Sequence, residues 1–73
     1  MKLTFLAKDP WSPGGGSPTL YRTDRADRAT LVVQGWRLDS ETMASLGMPG
    51  HEDAVEVPVD VLVAGLATYE AER

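Results

Sequence analysis

The chain has no cysteine and a single histidine, His51. The first absence excludes disulfides, thiolate metal sites, iron–sulfur clusters and thiol redox chemistry. The second leaves any hydrolytic or metal chemistry with one imidazole at most. Aromatic residues are few, limited to Phe5, Trp11, Tyr21, Trp36 and Tyr69. No apolar run approaches the roughly 20 residues that cross a bilayer. The N-terminal run Leu3 to Ala7 is shorter than the apolar region of a signal peptide. These absences together lead us to expect an intracellular, cytoplasmic protein that does not engage a membrane.

A chain of 73 residues is one domain. At this size only about 60% of the unfolded chain's surface is buried on folding. Without disulfides or a metal, such a thin core depends on tight packing or on a partner subunit.

The net charge of −4 is unevenly spread. Residues 1–37 carry six bases (Lys2, Lys8, Arg22, Arg25, Arg28, Arg37) and three acids, a net of +3. Residues 38–50 carry −2, and residues 51–73 carry −5 through six acids against Arg73. Nucleic-acid-binding domains usually show a basic excess, so an acidic chain makes direct nucleic-acid binding the weakest of the available roles. The bipolar layout is compatible with a charged protein partner.

The coarse pattern predicts β-β-β-α-β-α: a small, mostly antiparallel sheet of about four strands in an α+β domain spanning 1–73. Met1 to Lys8 alternates as a strand. Asp9 to Pro18 holds three prolines and three consecutive glycines and is a loop. Thr19 to Thr23 reads as a second strand, Asp24 to Arg28 as a hairpin connection, and Ala29 to Leu38 as a third strand. Within it, Gly35 marks a bulge or a close backbone approach. Val32, Trp36 and Leu38 are expected on one face, with Trp36 packed on the sheet.

Asp39 or Ser40 can cap a short helix, with Leu38 and Met43 as its hydrophobic staple. Met43 and Leu46 would face the core, and Gly47 would end the helix. Ala54 to Val57 is the fourth strand, and Pro58 opens a C-terminal helix packed on one sheet face. Val59, Leu62, Val63 and Leu66 fit the i, i+3, i+4, i+7 template of its buried side. Beyond Tyr69 the tail is expected to fray.

No motif supplies a catalytic or metal site. The glycine run lacks the lysine and hydroxyl residue that follow a P-loop and opens a strand rather than a helix; Pro18 also removes an N–H from its end. It reads as an inter-strand loop, with a small-ligand or nucleotide site as the alternative. His51, Glu52 and Asp53 are adjacent in a turn, where neighbouring residues seldom converge on one ion. No serine sits in a nucleophile elbow, and no cofactor is implied.

What remains points to binding. Trp11 either folds back over the sheet, as a thin core favours, or is displayed to a partner. Arg22, Arg25 and Arg28 recur every three residues between Asp24 and Asp27. They form either a solvated, internally paired hairpin tip or a docking patch for an acidic partner. Trp11, Arg22, Arg25 and Arg28 are thus the candidate partner-binding residues of a non-enzymatic interaction or regulatory accessory module.

The stretches GGSPTLYRTD, TLVVQGW and AVEVPVDVL resemble an uncharacterised set of short proteins from high-GC actinobacteria. The likeness runs from Met1 to about Leu66. It implies no known activity, cofactor or catalytic residue. Such proteins lie beside helix-turn-helix regulators, which implies an accessory role with a transcriptional regulator as protein partner, or a homo-oligomer. Arg25 to Ala29 is an insertion relative to the family's hairpin.

Overall fold

The computed structural model describes residues 1–11 and 16–72. The elements, in chain order, are β1 (Leu3–Lys8), β2 (Thr19–Thr23), β3 (Leu31–Gln34), β4 (Trp36–Arg37), α1 (Ser40–Leu46), β5 (Val55–Glu56) and α2 (Val59–Glu72). The architecture is α+β, as the residue pattern predicts. The four expected strands, however, divide between two sheets. β1, β2 and β3 form an antiparallel three-stranded sheet in that spatial order, and β4 pairs antiparallel with β5.

The division falls at Gly35. The expected third strand is broken there into β3 and β4, so the last strand joins a separate ribbon instead of the main sheet. A Cβ at Gly35 would stand 2.6 Å from the Glu56 carbonyl oxygen and from a Val57 methyl. The missing side chain is what lets the β5 backbone come this close.

Register assigns the two faces of the main sheet. Leu3 is opposite Thr23, Thr4 opposite Arg22 and Phe5 opposite Tyr21. Arg22 is opposite Leu31, Tyr21 opposite Val32 and Leu20 opposite Val33. Residues directly opposite share a face. Simple alternation would put Ala7 beside Phe5. Instead the register shifts between Phe5 and Ala7, leaving Leu6 as the extra residue and setting Ala7 opposite Leu20. This bulge brings two consecutive apolar side chains, Leu6 and Ala7, into the buried core with Leu20 and Val61. It also returns Lys8 to the Thr19 face.

α2 lies over β1 and β2. Its buried positions are Val61 and Gly65, not the expected stripe of Val59, Leu62, Val63 and Leu66. Of those four, Leu62 is half-buried and the others are exposed. The reason is steric: a Cβ on Gly65 would meet the Leu20 side chain. The helix therefore settles on its smallest residue, which allows the closest approach to a strand side chain that is itself only 1% exposed. A salt bridge at 3.5 Å from Arg22 Nη2 to Glu72 Oε1 ties the far end of α2 to β2. The helix continues through Glu72 rather than fraying beyond Tyr69.

α1 begins as its composition predicts. Asp39 is the N-cap, its Oδ1 accepting from the Thr42 N–H at 2.7 Å. Gly47 closes the helix in the left-handed region at φ 59°, where a side chain is strained. No residue of α1 is buried, however, and Leu46 is exposed. The expected core contact of Leu46 does not form, because α1 sits beside the β4–β5 ribbon and away from the main sheet.

Candidate protein-interaction surface

The side of the main sheet opposite α2 leaves apolar side chains exposed. Phe5, Tyr21 and Val32 lie in one row across all three strands. Phe5 is 56% exposed, while Tyr21 and Val32 are half-buried. Leu3, 48% exposed, extends the patch beside Thr23. That neighbouring row is polar but uncharged: the Thr23 and Thr30 hydroxyls lie 2.7 Å apart, and the Thr23 N–H donates to the Thr30 carbonyl at 3.3 Å. On the other side Lys8, Thr19 and Gln34 share a row. The Thr19 hydroxyl donates to the Ser17 carbonyl at 2.7 Å, and Gln34 Nε2 donates to the same oxygen at 3.0 Å. The face is an apolar band flanked by groups whose hydrogen bonds are largely internal.

The shape explains this exposure. The molecule measures 38 × 34 × 19 Å, a slab with a helix on one side of the main sheet only. Its accessible surface of 5560 Å² exceeds the roughly 4,400 Å² of a typical folded monomer of its mass by about 1,200 Å². Its Cα radius of gyration, 13.5 Å, is likewise above the roughly 11 Å of a compact domain of this length.

The four sequence-derived partner-binding residues fall in different settings. Trp11 is displayed, 81% exposed; it does not fold back over the sheet. Its backbone is nonetheless held, since the Trp11 N–H donates to Asp9 Oδ1 at 3.2 Å and the Asp9 N–H donates to the Pro18 carbonyl at 2.8 Å. Arg22 is on the α2-facing side of β2 and engages Glu72. Arg25 pairs with Asp27 at 3.0 Å within the exposed hairpin, and Arg28 is exposed beside it. The three arginines therefore do not present one continuous cationic surface. Trp36 is also 46% exposed, because the break at Gly35 takes it off the main sheet.

The row Phe5–Tyr21–Val32 escapes a reading based on composition. Its signal is a register, since the three residues are adjacent only once β1 and β3 are laid against β2. Alternation alone marks Phe5 as strand-facing but does not say which side a helix covers.

The base of the glycine loop forms a cavity of about 100 Å³ with Gln34, Gly35 and Trp36. Ligand pockets for small molecules are usually about 300 Å³ or more. The loop's centre, Ser12 to Gly15, lies outside the described residues, and with it the rest of the expected glycine-loop site. Among the described residues, no three His, Asp or Glu side chains gather where they could hold a metal ion. No helix there is long and apolar enough to cross a membrane. At the start of α1 the Thr42 N–H, then the Thr42 hydroxyl, hold the Asp39 carboxyl below its usual value.

Comparison with known proteins adds no relative: no family model, no curated protein and no solved structure matches the chain.

Proposed function

We propose that this protein is a non-enzymatic protein-interaction module of the cytoplasm, an accessory that acts by binding a protein partner or itself. The observation that carries the reading is the apolar row Phe5–Tyr21–Val32, left open on a sheet whose other face is covered by α2. Contiguous apolar surface of this kind marks interaction sites on small domains. The resemblance to short actinobacterial proteins supplies a candidate partner class, a transcriptional regulator. The acidic balance of residues 51–73 directs such a partner toward basic protein surfaces rather than toward nucleic acid.

Sedimentation of the purified chain, combined with in-cell crosslinking from a cysteine placed at Leu3 on the open face, tests the reading. Self-association or a specific crosslinked protein is the expected result, lost in Phe5→Asp. A chain that stays monomeric and crosslinks to nothing counts against the proposal.

A further inference from the structure

We propose that the open sheet face is occupied by the same face of a second copy of this chain, giving a two-fold dimer layered helix–sheet–sheet–helix. This deepens the interaction-module reading and rests on it.

Three observations select the occupant and the face. The first is area. The surface in excess of a compact monomer, about 1,200 Å² over the whole chain, is more than the roughly 800 Å² that a standard interface removes from each partner, so burial of one face on this scale would bring the chain toward the exposure of a compact domain. The second is charge. The open face presents Leu3, Phe5, Tyr21, Val32, Thr23, Thr30 and Gln34, with Lys8 at the end of β1 as its one ionised residue, while Thr19 between Lys8 and Gln34 is already buried. Bringing two such faces together desolvates almost no charge. It also keeps the two acidic α2 helices on opposite outer layers, because α2 covers the other side of each sheet.

The third observation removes the competing apolar surface. Val59, Val63 and Leu66 form an exposed stripe on α2. The α2 sequence from Val59 to Glu72 holds acidic residues and no basic one, and the Arg22 that engages Glu72 belongs to β2, so pairing α2 with its copy would bring like charges toward each other. Docking that stripe on another copy's sheet would join two different faces of a slab. Such head-to-tail contacts run on into open chains unless the rotation closes. The sheet-to-sheet contact is self-complementary and closes at two copies. In it the mean strand directions stay within about 30° of each other and the sheets lie about 10 Å apart. Phe5, Tyr21 and Val32 of each copy fill the space between them.

Sedimentation equilibrium over a concentration series, with far-UV circular dichroism as the folding control, tests the proposal. Wild type is expected at twice the 7.9 kDa chain mass. Phe5→Asp is expected to be monomeric with an unchanged spectrum. Its dimer Kd rises at least about 100-fold, because a central aromatic is lost twice in a symmetric contact. Val63→Asp, on the outer stripe of α2, remains a dimer. Should Phe5→Asp lose its spectrum, Leu3→Asp takes its place on the same face. A monomeric wild type, a dimeric Phe5→Asp that folds, or dissociation by Val63→Asp instead would each overturn the proposal. A monomeric wild type that crosslinks another protein beside Phe5 overturns the second copy as occupant but leaves the interaction-module reading standing. With no crosslink either, both fall.

Discussion

Gly65 is the residue on which the helix–sheet contact turns. In isolation, replacing a helical glycine by alanine adds about 1 kcal/mol of helix stability. Here the new Cβ would meet Leu20, which is buried under the helix and has nowhere to move. Gly65→Ala is therefore expected to destabilise the fold by about 1–3 kcal/mol, as overpacking of a close core contact does, measured by urea denaturation. Leu20→Ala, which empties the same contact, is expected to cost about 2–5 kcal/mol. An alanine that stabilised the chain would show that α2 can stand off the sheet.

Asp39 supplies a second residue-level prediction, this one in pH. Its carboxylate is stabilised by the Thr42 N–H and hydroxyl, so its folded pKa is lower than its unfolded one. The sign follows from linkage. The stabilising effect is fully present above the unfolded value and is lost as pH falls through the folded one. The α1 amide shifts should therefore titrate at acid pH with an inflection below 3.8, and Asp39→Ala should abolish that inflection and fray the helix. An inflection at or above the ordinary value would refute the cap's role.

At the level of elements, the molecule has one well-anchored part and one lightly anchored part. α2 packs along β1 and β2, whereas α1 buries no residue and the β4–β5 ribbon is two residues long on each side. Protection against local opening follows buried apolar contact. Amide exchange should be slowest in β2, with the Leu20 amide among the last to exchange, and fast throughout α1 despite its cap and its glycine stop. Equal protection in α1 and β2 would mean that the ribbon is held by something other than the packing described. The difference also explains what could be read from the residues alone. Caps, stops and turn-bounded strand ends are local chemistry, so Asp39, Gly47, the end of β1 at Lys8 and both bounds of β2 were legible. The face of α2 was not, because apolar spacing ranks Val59, Val63 and Leu66 above a glycine, and only the position of Leu20 reverses that order. The open sheet row was illegible for a similar reason: it depends on the bulge at Leu6 and on where the chain leaves the sheet at Gly35.

For the whole molecule, thinness is the governing property. A slab 19 Å deep buries only Leu6, Ala7, Pro18, Leu20 and Val61 among its described apolar side chains. Association through the open face would add a second core between the sheets. The melting temperature should then rise with protein concentration, as it does whenever assembly is linked to folding. Phe5→Asp should remove that dependence, and a concentration-independent midpoint for wild type would argue for a self-sufficient monomer. The display of Trp11 and the half-exposure of Trp36 carry a practical corollary. Indole emission ordinarily shifts to longer wavelength when unfolding moves a tryptophan from a dry interior into water. In this protein both fluorophores are already wetted in the native state. Their spectrum should barely change through the denaturation transition, while a partner closing over the loop would turn Trp11 blue against a nearly silent background.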